Sequence, residues 1–92
     1  YTTGGEEVQG KWGNFQLDGY GAWLWGLAQH VKLTGDLPLI TTLRPAIELT
    51  VDYLQSCWQL PHFDCWEEGG NDIYLSTLAA VYGGCKAITS YL

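Results

Sequence analysis

Basic side chains are scarce in this chain. Four Lys and Arg stand against ten Asp and Glu, for a formal net charge of -6. With no basic patch to neutralise phosphates, the balance argues against nucleic acid as a partner. It argues equally against attraction to an anionic membrane surface. A neutral ligand such as a sugar is not penalised by it. Methionine is absent, and the chain opens on Tyr1 without a signal-peptide pattern. No apolar run is long enough to span a bilayer, which takes about 20 residues. Cysteine is limited to Cys57, Cys65 and Cys85. Three is an odd number, and their spacing is that of neither a disulfide framework nor a metal site. At least two are expected as small buried apolar groups. His30 and His62 also lack ligand spacing and read as ordinary helix or loop residues, so no metal or other cofactor is expected. Strand signals are missing as well, since Ile73-Tyr74-Leu75 is too short to compete with the helical periods around it. The expected fold class is therefore all-α.

Glycine and the large aromatics are abundant, with twelve Gly, five Trp and six Tyr in 92 residues. That length suits a small single domain, which buries a limited share of its surface. Three helices would have to bury almost every aromatic side chain. The first is expected from about Gly19 to Thr34. There Leu24, Leu27, Ala28 and Val31 form one stripe, extended by Leu17, Tyr20 and Trp23. Trp25 lies on another face, so this helix is expected between neighbours rather than on a surface. Gly21 and Gly26 weaken it unless another backbone packs closely. Gly35 is the expected stop, with Lys32 near the negative end of the dipole.

Asp36 and Pro38 restart the chain as cap and first-turn residues. A short turn through Thr41-Thr42 then leads to a second helix, about Leu43 to Trp58, with Pro45 in its first turn. Ile47, Val51, Leu54 and Trp58 form its stripe, and Pro61 ends it by disfavouring helical geometry at Leu60. A third helix starts between Asp72 and Ser76, capped by Asn71 or Asp72, and runs to the end. Leu75, Leu78, Ala79, Tyr82, Cys85 and Ile88 line one side of it. Gly83-Gly84 within it is expected to permit close helix contact. The chain stops at Tyr91-Leu92 in what still reads as helix. Both ends look like cuts, so a segment of a larger domain is expected, with some catalytic parts missing.

Two loops carry the chemistry. Residues 1–10 are loop, and Glu6-Glu7 reads as a solvated pair. Lys11-Trp12-Gly13-Asn14-Phe15-Gln16-Leu17-Asp18-Gly19 leads into the first helix. Asp18 could cap that helix or face a ligand. Trp12 could be core or a platform for the apolar face of a sugar ring. The second loop, Phe63-Asp64-Cys65-Trp66-Glu67-Glu68-Gly69-Gly70, sets two carboxylates beside a tryptophan. Its bland reading is a solvated acidic connection. The first helix leads away from one end of the array and the second returns to it. The two loops should therefore open at the same end, bringing Trp12, Gln16 and Asp18 toward Trp66, Glu67 and Glu68.

These two stretches resemble a central segment of the glucoamylase-like enzymes of glycoside hydrolase family 15. Trp12-Gly13-Asn14-Phe15-Gln16-Leu17-Asp18-Gly19 is similar to the family's Trp-Gly-x-x-Gln-x-Asp-Gly segment. Phe63-Asp64-Cys65-Trp66-Glu67-Glu68 is similar to its aromatic-Asp-x-Trp-Glu-Glu loop. The resemblance covers nearly the whole chain. It implies that residues 1–92 are part of an (α/α)6 barrel catalytic domain, with the first and third helices in one layer and the second in the other. The rest of the barrel would be supplied by the same or a companion chain.

The resemblance further implies hydrolysis, with inversion, of terminal α-D-glucosidic bonds at the non-reducing ends of an α-glucan or α-glucoside. Glu67 falls on the general acid and Glu68 on a substrate-binding carboxylate. Trp12, Gln16, Asp18 and Trp66 fall on substrate-binding positions. The family's general base lies further toward the C-terminus and is absent here, as is its upstream Arg-Asp motif. Gly69-Gly70-Asn71-Asp72 departs from the usual forms, leaving α-1,4, α-1,6 and trehalose-type substrates open. A glutamic acid has an unperturbed pKa of about 4.3 and must be raised to act as an acid near neutrality. Shielding by Trp12 and Trp66 and the like charge of Glu68 both act in that direction on Glu67. Inversion needs its two carboxyls about 6.5–9.5 Å apart, which adjacent residues such as Glu67 and Glu68 are poorly placed to supply. The alternative is a non-catalytic carbohydrate-binding or regulatory helical domain with the same pocket.

Overall fold

The computed structural model describes residues 3–6, 15–63 and 72–92. Among them the chain forms three helices: α1 (Asp18–Thr34), α2 (Leu37–Cys57) and α3 (Leu75–Thr89). No strand forms among the described residues, and an isolated antiparallel bridge pairs His62 with Asp72. This is an all-α, three-helix segment of the kind that builds an (α/α) barrel.

The expected stripe of α1 is its buried face, with Leu24, Leu27, Ala28 and Val31 all in the core. Gly35 ends the helix at φ 73°, and its N–H donates to the Val31 carbonyl at 2.8 Å. Only glycine adopts that left-handed geometry without steric cost, which is why the helix stops there. The start differs from expectation. Leu17, fully buried, occupies the capping position, and Asp18 is the first helical residue with no side-chain cap bond at the terminus.

Asp36 does cap α2, accepting the Leu39 N–H at Oδ1 over 3.3 Å, with Pro38 in the first turn. The helix therefore begins at Leu37 rather than Leu43 and passes straight through Pro45. An interior proline forfeits one backbone bond and crowds the preceding turn, at about 3 kcal/mol. Burial on both sides offsets this, since Ile40 and Ile47, about two turns apart on the same face, both lie in the core. The start signals at Asp36 and Pro38 suffice, and no second start is needed at Pro45.

α3 begins at Leu75 after an extended Tyr74, without a side-chain cap. Asp72 does not cap it; its carbonyl instead accepts the His62 N–H at 3.0 Å. The helix also ends earlier than expected, at Thr89, and turn bonds from Tyr91 to Ile88 and from Leu92 to Thr89 close the chain. Its buried face is Thr77, Val81, Gly84 and Ile88. Leu75 and Tyr82, expected in the core, are 81% and 67% exposed.

The reason is the contact with α1. A methyl group at Gly21 would strike the Ala80 carbonyl, and one at Gly84 would strike the Gly21 carbonyl. The two backbones touch through small residues, and that contact decides which face of α3 is buried. α1 packs chiefly on α3, and α2 touches α1 more lightly. The starts of α1 and α3 lie together, because the Phe63 N–H donates to the Phe15 carbonyl at 2.8 Å. Arg44, early in α2, donates to the Leu92 carbonyl beyond the end of α3 at 3.2 Å. Thus α1 and α3 run the same way and α2 runs back.

Among the described residues the core is aliphatic, with Phe15 and Tyr91 packed against it. Tyr20, Trp23, Trp25, Tyr53, Trp58 and Tyr82 are all substantially exposed. Tyr20 and Tyr53 meet edge to face across α1 and α2, with ring centres 5.3 Å apart. Cys57 and Cys85 are free, half-buried and packed against the core, and burial pushes the Cys85 thiol pKa up. Cys65 lies outside the described residues. No helix among the described residues is long and apolar enough to cross a membrane.

The glycine contact predicts a contrast between neighbours. Gly84→Ala should destabilise the full-length protein by about 1–3 kcal/mol, as overpacking does. Gly83→Ala, whose new methyl meets nothing within 4 Å, should be neutral or stabilise by up to about 1 kcal/mol. Thermal melts of the two variants test this, and equal shifts would contradict the backbone contact.

Candidate active site

The site is built at the start of α1. Gln16 and Asp18 are half-buried and line one cleft of about 340 Å³ together with Gly19 and Tyr20. Leu17, between them, points into the core and is fully buried. That single anchored side chain sets the other two on the opposite side of the backbone, toward the cleft. Asp18 sits in the first turn of α1, where the helix dipole favours a negative charge. Its Oδ1 is buried and accepts no hydrogen bond from any described residue. A buried carboxylate oxygen with no donor among the described residues is suited to a ligand donor. The neighbouring Gln16 amide offers both donor and acceptor. The pair can therefore bind hydroxyl groups, which do both.

A second cleft adjoins through Tyr20. It is lined by Tyr20, Leu49, Thr50 and Tyr53, with a volume of about 320 Å³. It is more apolar, and its walls are the two rings of the edge-to-face pair.

The acidic loop is tied to this region from its described ends. Phe63 bonds to Phe15 through the backbone, so the two sequence-rich loops do open at one end of the array where they are described. Trp12, Trp66, Glu67 and Glu68 lie outside the described residues. The structure brings Gln16 and Asp18 together and is silent on the other four. Among the described residues no group of three His, Cys, Asp or Glu side chains could hold a metal ion.

One residue was not singled out from the sequence. His62 reads there as an ordinary loop histidine, yet it is fully buried. Its Nδ1 lies 2.9 Å from the Leu60 carbonyl, and its Nε2 accepts the Tyr74 N–H at 3.3 Å. The ring also meets Tyr74 edge on at 5.9 Å. The available signal was position: a side chain with two hydrogen-bonding nitrogens, directly after Pro61 and directly before the acidic stretch. Thr77 is likewise buried, and its hydroxyl has no partner among the described residues.

The fold is that of an all-α segment consistent with part of an (α/α) helical barrel. Residues 1–90 match the model of glycosyl hydrolases family 15, and the chain belongs to that family. It is 39% identical over 89 residues to the isomaltose glucohydrolase of Kribbella flavida, a match covering 96% of this chain and 22% of that protein. It is 34% identical over 77 residues to an uncharacterized glycosyl hydrolase of Methanocaldococcus jannaschii, covering 82% of this chain and 12% of that one. A solved glycosidase structure superposes with a TM-score of 0.77 at 37% identity, covering 94% of this chain and 24% of the other. The chain thus spans under a quarter of the length of each of these relatives.

The convergence of the loops predicts slow exchange outside the helices. The amides of His62, Phe63 and Tyr74 each donate to a described acceptor. Hydrogen exchange followed by NMR or mass spectrometry should find them protected. Exchange at the rate of open loop amides would contradict the joined geometry.

Proposed function

We propose that these residues form part of an (α/α)6 catalytic domain that hydrolyses terminal α-D-glucosidic bonds from non-reducing ends, with inversion. The single observation that carries the proposal is the bond between Phe63 and Phe15, which joins the described parts of the two motif stretches at one end of parallel α1 and α3, near an Asp18 oxygen with no donor among the described residues. Membership of glycosyl hydrolases family 15 supports it. In this reading Glu67 protonates the glycosidic oxygen, and Glu68, Trp12, Gln16, Asp18 and Trp66 hold the sugars. Gln16 and Asp18 bind sugar hydroxyls. A second carboxylate, outside these residues, activates the water.

The exposed apolar surfaces of α1 and α3 also support a larger barrel. Trp25 is 53% exposed and Tyr82 67%, and further helices of the same or a companion chain would cover them. Similarity to a protein named isomaltose glucohydrolase favours an α-1,6-linked disaccharide as the first substrate to try. It also favours a reaction over binding alone.

Two measurements on the full-length protein test the proposal. With isomaltose, maltose and trehalose offered in turn, NMR of the first product should show β-glucose before mutarotation. Glu67→Gln should lower kcat by a factor of about 100 or more while substrate still binds. First release of α-glucose would refute inversion, and near-normal turnover would refute the role of Glu67.

Asp18→Asn separates binding from folding. Loss of one first-turn charge costs about 0.3–1 kcal/mol of stability. KM should rise about tenfold or more, because a charged acceptor for a sugar hydroxyl is lost. An unchanged KM would remove Asp18 from the site.

A further inference from the structure

We propose that His62 is a positioning residue, which ties together the two described ends of the acidic stretch, at Leu60 and Tyr74, close to the Gln16–Asp18 cleft. The inference rests on the role given above to Glu67 and goes beyond it, by naming what holds the loop in place.

Burial is the first observation. An imidazole with no exposure is costly to bury unless both nitrogens are satisfied. Here both are. The Tyr74 N–H can only donate, so Nε2 carries the lone pair. The proton is then on Nδ1, which donates to the Leu60 carbonyl. The protein thus selects one neutral tautomer through two backbone groups.

Location is the second. Leu60 precedes the acidic stretch and Tyr74 follows it, so the one ring bonds to the chain on both sides. The rung from the His62 N–H to the Asp72 carbonyl at 3.0 Å closes the same base through the backbone. The very next amide, on Phe63, reaches Phe15 beside the cleft. The Tyr74 amide belongs to the extended residue that starts α3, a terminus whose N–H groups lack intrahelical partners. Taking up that N–H links the loop to the helix that packs on α1. Cleft, loop base and α3 are therefore joined within a few residues of one side chain.

The two bonds differ in reach, which makes the proposal testable. The Leu60 bond is local, while the Tyr74 bond crosses the loop. Gln places an amide oxygen near the position of Nε2 and can keep the crossing bond. Asn places an amide N–H near Nδ1 and keeps only the local one. Phe keeps the bulk and neither bond.

The experiment uses the full-length enzyme and the α-glucoside it cleaves fastest. His62→Phe should lower kcat about 10- to 100-fold with KM within about threefold, the scale of a misplaced reacting group. His62→Gln should recover most of kcat, and His62→Asn should not. In the Phe and Asn variants the alkaline limb of the kcat profile should move to lower pH. A general acid that gains contact with water titrates closer to the ordinary carboxylate range.

A kcat within about twofold of the parent in a folded His62→Phe protein, with an unmoved pH profile, overturns the proposal. So does a loss that follows only the folded fraction, with Gln and Asn variants alike. Should His62→Phe fail to fold, the Gln and Asn comparison decides alone. Glu67→Gln measured in parallel keeps the two assignments apart. Normal turnover there with a defective His62→Phe variant leaves His62 as the loop's anchor and discards Glu67 as its acid. A defective Glu67→Gln protein with full activity in His62→Phe does the reverse.

Discussion

Everything in this segment follows from how closely α1 and α3 approach. Gly21 and Gly84 leave no room between the two backbones, and a contact of this kind has little tolerance in register or rotation. It turns the small side of α3 inward and leaves Leu75 and Tyr82 outside. It also brings the starts of both helices to one end. The polar cleft lies at that end because Asp18 is the first residue of α1. Helix packing through small residues thus sets a carboxylate and an amide close to Phe63, the described start of the acidic stretch.

Among the described residues, the ends of the acidic stretch are held mainly by backbone groups. Phe15 and Phe63, His62 and Asp72 each pair through their main chains. Such bonds do not depend on side-chain identity, so substitutions at these four positions can leave the attachment in place. The exception is His62, where a side chain performs the same task. Around this frame the aliphatic core supplies the stability. The exposed aromatics of α1 and α3 are the surfaces that the proposed larger barrel would cover.

Much of this was legible in the sequence, for identifiable reasons. The aliphatic spacing of α1 and the glycine at its end are strong local signals, and they locate that helix to within a residue at its start. Pro45 misleads, because a proline inside a helical pattern is weighed locally while Ile40 and Ile47 are buried together from afar. The buried face of α3 is misread for a related cause. Side-chain size marks Leu75 and Tyr82 as core, whereas proximity to Gly21 selects Gly84 and Val81. Gln16 and Asp18 are singled out by their motif, and they line one cleft. His62 was missed because nothing in a sequence tells which amide will seek a ring nitrogen twelve residues earlier.

The order of packing has a consequence for synthesis. α1 is complete at Thr34, yet the helix that covers its main face is not finished until Thr89. α2, which comes between, touches α1 only lightly. At about 5–20 residues per second on the ribosome, α1 waits several seconds for its partner. Throughout that interval Leu24, Leu27 and Val31 face the aqueous surroundings of a nascent chain, open to capture by chaperones or by neighbouring polypeptides.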